Sequence, residues 1–349
     1  TREKPIFLRS RDQIPAAVAC LGDGWVFRRP KYLVIENILF LNPGGAAITL
    51  DGGAPIDGQP WPAEVTVRNC TSRGARNEAT QDGVRVRGCT DVRIDSVRVD
   101  GWNHAAVSVE DSRRVLVRGL MMVPDEKLPQ SIGIHIAGAS REISLTGCSF
   151  NKVIRTGISI GTPCPGGVTT AATPVERMRI DRCLMENVGQ AVELRNVRDL
   201  TVSRVTVVNP TAAIYSVPAD AGTVEQVIIE HCLAFWFPGS LQKFSPHPDR
   251  IPPTAITLGD NLWYSRELPE AWEVLGAPFG YQSVPQTTGT DPGIDSTALR
   301  PRNGEAVQYG AYSISVPTGA RPSADPTDGA PPPPAPPVAP AAPATPGPR

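Results

Sequence analysis

Residues 131–150 read SIGIHIAGASREISLTGCSF. Two segments inside this stretch, GIHI (133–136) and ISLTGC (143–148), alternate apolar residues with small or polar ones. That is the two-residue period of a strand with one buried face. Both patterns return along the chain. The ISLTGC form recurs as YLVIENI (32–38), VTVRNC (65–70), VRIDSV (92–97), VLVRGL (115–120), MRIDRC (178–183), LTVSRV (200–205) and VIIEHC (227–232). The GIHI form recurs as AITL (47–50), GVRV (83–86), AVSV (106–109), GISI (157–160), AVEL (191–194), IYSV (214–217) and AITL (255–258). The first pattern is called the leading strand below and the second the trailing strand.

Leading strands start 22 residues apart at the closest (178 to 200) and 35 at the widest (143 to 178), with no helical period between them. A unit of about 22 residues with two or three short strands and variable loops describes a solenoid of parallel strands. Eight rungs stacked at about 4.8 Å give a rod of roughly 40 Å. The abundance of Val, Ile, Thr, Gly and Pro suits short strands joined by tight turns. With 34 basic and 35 acidic residues, a formal net charge of -1 offers no global attraction for nucleic acid or an anionic membrane. No apolar run approaches the roughly 18 residues of a membrane span.

Aligning the rungs accounts for most cysteines. Cys70, Cys148, Cys183 and Cys232 share one position with Ile38, Val97, Leu120 and Val205, so that position faces inward. Cys89 aligns with Ser112, Ser140 and Val197 at a second interior position. These five read as buried thiols, since rung spacing exceeds the roughly 3.8 Å Cβ separation of a disulfide. No C-x-x-C pair or histidine cluster implies a metal, and no cofactor is implied. Glu36, Arg68, Asp95 and Arg118 alternate in sign at one outward position, as do Arg87 and Glu110 after the trailing strand, so they read as register-fixing ion pairs.

The rhythm divides the chain into a solenoid (1–260), a C-terminal cap (261–313) and a disordered Pro/Ala-rich tail (314–349). In the cap, Ser265 suits a helix start and Gly276 its exit, with Trp263, Tyr264, Trp272, Leu275 and Phe279 as an apolar face. No comparable cap precedes Ile6–Leu8, so residues upstream are expected. The chain opens TREKPIF, which reports no compartment.

The leading-strand repeats resemble the right-handed parallel β-helix superfamily of pectin-lyase-like proteins. DPGIDSTALRPRNGEAVQYGAYS (291–313) resembles the closing stretch of many bacterial members, and the likeness spans residues 5–313. It implies an all-β, right-handed parallel β-helix that acts as a monomer at an extracellular, periplasmic or cell-surface location. Members are polysaccharide lyases, glycosidases, uronate epimerases and proteins without known catalysis, mostly acting on acidic glycans. The polygalacturonase series of Asn-Thr-Asp, paired Asp, Gly-His-Gly and Arg-Ile-Lys is absent here. So is the epimerase Asp-Pro-His-Asp; its nearest echo is SPHPD (245–249), in a loop.

In GIHI the two isoleucines take the inward positions, so His135 points outward. Its stack reads Thr49, Arg85, Ser108, His135, Ser159, Glu193, Ser216, Thr257. His104 enters the same strand one rung earlier. The loops 72–82, 123–131 and 235–254 would wall this face with Arg73, Arg76, Glu78, Lys127, Lys243 and His247. β-Elimination of a uronide needs a cation at the carboxylate and a base near pKa ~7 for the α-proton. Arg85 or Lys127 suits the first role and His135 or His104 the second. Ser108, Ser159, Glu193, Arg76 and Lys127 are candidate substrate contacts. Hydrolysis would need two carboxylates about 5–9.5 Å apart, and Glu193 has no acidic partner on its stack. The expectation is an acidic-polysaccharide-binding or cleaving protein; the alternative is a non-catalytic surface scaffold with the tail as its stalk.

Overall fold

The computed structural model describes residues 4–11, 14–20, 22–54, 59–74, 81–123, 125, 131–153, 155–163, 173–236, 242–246, 255–265, 282–283, 287–288, 292, 306 and 309–311. Each turn of the chain lays down three strands. Cys89–Asp95 is a leading strand, Arg98–Asp100 a short middle strand and Ala105–Glu110 a trailing strand. Like strands pair in parallel with the next turn, giving leading and middle sheets of 11 strands each and a trailing sheet of 9. The fold is a right-handed parallel β-helix.

The leading-strand motif follows from how the chain turns its corners. Asn37, Asn69, Ser96, Gly119, Gly147, Arg182, Arg204 and His231 share one register, and each has φ between 48° and 62°. A single left-handed residue there swings the chain from leading to middle strand. Gly and Asn meet that demand most readily, which explains the recurring Asn or Gly before the interior cysteine. His231 is a turn residue, its backbone N–H donating to the Asp260 carbonyl at 2.6 Å.

Inside, identical positions stack. Ile35, Val67, Ile94, Val117, Leu145, Ile180, Val202, Ile229 and Leu258 form one buried aliphatic ladder along the leading sheet. The cysteine position behaves as its aliphatic companions require. Cys20, Cys70, Cys89, Cys148, Cys183 and Cys232 are buried and unbridged. Burial pushes the Cys70 and Cys232 thiols up to about 11 and the Cys89 thiol up to about 12.

Three expectations change. Among the described residues the rungs number 11 on two faces and 9 on the third, rather than eight. The second AITL does not form a trailing strand: Ile256–Leu258 joins the leading sheet beside Val224–Glu230. The trailing strand of that turn is Gln242–Pro246, inside the stretch read as a long loop, and it carries the first two residues of SPHPD. Ser265 ends the middle strand Leu262–Ser265, and the helix expected to start after it lies outside the described residues. Trp263 and Tyr264 in that strand are buried, while Trp272, Leu275, Gly276 and Phe279 lie outside the described residues, as does the tail. Ala306 and Tyr309 pack with Leu233 and Leu262 on the outside of the middle sheet.

Among the described residues no helix is long and apolar enough to cross a membrane.

Candidate functional site on the trailing face

Register places the candidate residues on adjacent rungs. Thr49 pairs with Arg85, Arg85 with Ser108, Ser108 with His135, His135 with Ser159, Ser159 with Glu193 and Glu193 with Ser216. Ser216 is followed by Ser245, so Thr257 does not belong to this stack.

From Asp82–Arg87 onward the trailing strands begin with an irregularity that shapes the site, whereas Trp25–Arg28 and Ile48–Asp51 pair without one. Pairing runs through Asp82, Ala105, Ile132 and Thr156, resumes at Val84, Val107, Ile134 and Ile158, and skips one residue in between. The skipped position faces the middle sheet at close range. A Cβ on Gly133 would sit 2.5 Å from the Phe150 ring, and one on Gly83 would sit 2.7 Å from Val99. Small residues recur at this spot, Gly83, Ala106, Gly133, Gly157 and Ala191, with Ile214 on a later rung. The extra residue breaks the in-out alternation, and Asp82 emerges on the same outer face as Arg85.

Asp82 is the hub that sequence reasoning missed. Its buried carboxylate takes four donors: His104 Nδ1 at 2.8 Å, the Ala105 backbone N–H at 3.1 Å, Ser108 Oγ at 2.7 Å and Arg85 Nε at 2.8 Å. Burial alone would push this carboxyl up. The His104 bond, the Arg85 charge and the Ser108 hydroxyl outweigh burial and hold it below its ordinary range. The signal was available in the alignment, because an acid stands where the neighbouring rungs carry Ala105 and Ile132. It was read as the end of the 72–82 loop.

The bond to Asp82 fixes His104. A carboxylate accepts, so Nδ1 is the nitrogen that donates its proton to Asp82. Nε2 has no hydrogen-bond partner among the described residues. The His104 ring meets His135 edge to face, with centroids 5.2 Å apart.

His135 points away from the core as expected, yet it is buried rather than solvated. Its Nε2–H donates to the Thr162 carbonyl at 2.8 Å. Burial, reinforced by the neighbouring His104 charge, depresses its pKa to about 4, against the Thr162 bond and the Asp82 charge. His135 is therefore neutral near pH ~7 and a weak base.

Ser108, Ser159 and Glu193 are buried as well. Ser159 Oγ donates to Thr162 Oγ1 at 2.9 Å. Glu193 is held by Arg195 Nε at 2.7 Å, and Arg195 reaches Asp220 at 2.7 Å through Nη1. Arg73 sits on the middle strand in an ion pair with Asp100 at 3.2 Å, away from the trailing face. Arg76, Glu78, Lys127 and His247 lie outside the described residues. The structure thus brings together Arg85, His104, His135 and Ser108 around Asp82.

No family model matches the sequence, and no curated protein is similar to it. Solved structures do share the architecture. The surface adhesin PfbA of Streptococcus pneumoniae is 12% identical with a TM-score of 0.50, over 72% of this chain and 71% of that one. An alginate lyase from Paenibacillus sp. str. FPU-7 is 11% identical with a TM-score of 0.48, over 71% of this chain and 87% of the lyase. A family 28 exopolygalacturonase of Yersinia enterocolitica is 8% identical with a TM-score of 0.42, over 72% and 69%. The protein has a right-handed parallel β-helix fold, similar to that of the PfbA adhesin structure.

Proposed function

We propose that this is a carbohydrate-active protein that takes an acidic polysaccharide at its trailing face and cleaves it by β-elimination. One observation carries the reading: a single carboxylate, Asp82, fixes a histidine and an arginine, each at 2.8 Å. That assembles a base and a cation on one anchor. Arg85 balances the charge of a uronate carboxylate, which acidifies the neighbouring C–H bond. His104 Nε2 takes that proton, and the C–H electron pair becomes a C=C bond. The C–O bond at the β-carbon breaks, and the departing oxygen takes a proton from water or from His104. A positioned base of this kind supplies about 10²–10⁴ in rate. Neutral His135 adds no second positive charge beside His104. Ser108, Arg76 and Lys127 are the proposed substrate contacts, while Ser159, fully buried and bonded to Thr162, is assigned to packing.

Hydrolysis by paired carboxylates fits less well. Asp82 spends its oxygens on four donors, and Glu193 is occupied by Arg195. Action outside the cytoplasm as a monomer goes with the polysaccharide reading. The second reading, a non-catalytic surface scaffold, draws on the burial of Ser108, His135, Ser159, Glu193 and Ser216, which suits packing.

The test follows the ultraviolet absorbance of the conjugated product during incubation with alginate, polygalacturonate and other uronate polymers. A rise that disappears in His104→Ala and Arg85→Ala is expected. A rise that survives both changes puts the chemistry elsewhere on the molecule. No rise and no glycan binding makes the scaffold the better account.

A further inference from the structure

The outer row of the trailing sheet is not evenly open. Its side chains run from Val26 through Thr49 and Arg85 to Ser108, His135, Ser159 and Glu193, one residue per rung. Val26 is 45% exposed and the Arg85 side chain 36% exposed, with Thr49 part-buried between them. Exposure then falls to 3% at Ser108, 1% at His135, 0% at Ser159 and 2% at Glu193. The change comes within one rung, at the Asp82–His104 cluster. Toward the N-terminal rungs the face is open, and toward the C-terminal rungs it is closed.

A polymer lying along the solenoid axis could cover the open rungs but not continue past His135. The closed side is built rather than incidental, because its polar groups are tied to one another: His135 to Thr162, Ser159 to Thr162 and Glu193 to Arg195. Moving these groups aside would leave buried polar atoms without partners, at a cost that favours keeping the wall in place. Rungs recur at about 4.8 Å. A sugar unit in an extended chain advances by a comparable step, so successive residues would meet successive rungs.

We infer that the site is one-sided and engages the reducing end of a polysaccharide chain, with the terminal uronate at Arg85 and His104 and the residues linked through its 4-oxygen, which leave as the shortened chain, over Thr49 and Val26. This rests on the elimination reading above and specifies its mode, release from a chain end rather than cleavage within the chain.

The experiment incubates the whole chain with polygalacturonate and alginate, following viscosity and product size alongside absorbance. End-on action predicts small products of constant size from the first minutes, with viscosity falling slowly. An early collapse of viscosity with a broad ladder of oligomers would overturn the inference and leave the elimination reading intact. Calorimetry with oligogalacturonates and the polymer gives an independent readout. Affinity that follows the molarity of chain ends supports the inference, and affinity that follows total sugar contradicts it. Thr49→Trp, which fills the open side, is expected to weaken binding of a hexamer by about tenfold. An unchanged affinity in that variant would contradict the placement of the chain over the N-terminal rungs. Neither turnover nor binding with any polymer would remove the glycan reading itself, and the end-on mode with it.

Discussion

The leading and trailing sheets share the same rungs and the same kind of core, yet their outer faces differ in kind. Outside the leading sheet, acids such as Asp95 and Asp181 are buried at their bases, but their arginine partners Arg118 and Arg182 are exposed. Arg68 reaches Glu36 at 3.0 Å, and Arg113 reaches Glu142 at 3.0 Å, with Arg118 on Asp95 between them. Outside the trailing sheet, Asp82, Ser108, His135, Ser159 and Glu193 are polar and buried. Exposed pairs are cheap to make and contribute little, so their residue types record register and solubility. Buried polar groups must each be satisfied, so their partners are specified one by one. The difference shows where this molecule departs from the minimum a solenoid needs.

Asp82→Ala should break the comparison most severely. It strips the anion from His104, Arg85 and Ser108 together, and removing one member of a buried charged network costs about 3–5 kcal/mol. Chemical denaturation of the variant measures this; a loss below about 1 kcal/mol would mean the cluster is not a connected network. Gly133→Ala tests the irregularity that puts Asp82 on the outer face. Its Cβ would meet the Phe150 ring and the Gly157 carbonyl at 2.5 Å, and overpacking of that sort costs about 1–3 kcal/mol.

His135 gives the trailing face a pH dependence that sets in above the acid range in which the arginine-paired Asp91, Asp95 and Glu142 of the leading face titrate. Its folded pKa of about 4 lies below the ordinary 6.5, so the unfolded chain binds its proton first. Stability from this group is fully present above the ordinary value and is lost as pH falls through the window down to the folded value. The slope reaches at most about 1.4 kcal/mol per pH unit. His135→Gln should flatten thermal stability between these limits; an unchanged pH profile would show that His135 is solvated in the folded protein. The smallest effect is expected on the leading face. Arg68→Ala removes a half-exposed ion pair, worth about 0.2–1 kcal/mol and screened by salt.

How much was readable in the sequence follows the same division. The core ladder and the interior cysteines were legible because stacking forces equivalent positions to agree, rung after rung. The outer faces carry no such repetition. Two identical strings, AITL at 47–50 and at 255–258, fall in different sheets. Four residues fix strand character and which side is buried, but the turn before them decides the sheet. The second string was misplaced because Gln242–Pro246, rich in polar residues and ending in proline, did not look like a trailing strand. Asp82 was overlooked for a related reason. Alternation puts it on the inward side of its strand, and only the close packing at Gly83 reveals the extra residue that turns it out. His135 was placed on the right face, but its burial depends on contacts such as the Thr162 carbonyl, 27 residues along the chain, which no local pattern announces.

The central claim is that Asp82 orients His104 for chemistry rather than merely filling a polar layer. Asp82→Asn tests it most directly, since the amide keeps the size of the side chain while losing the charge that fixes the His104 tautomer and steadies its protonated form. The measurement is the elimination rate on the responsive uronate polymer, with the thermal midpoint of the same sample as a control for folding. The account predicts a folded variant whose rate falls by a factor of about 10³ or more. A folded variant that keeps its rate within about threefold would contradict it, and would return Asp82 to the role of a structural anchor.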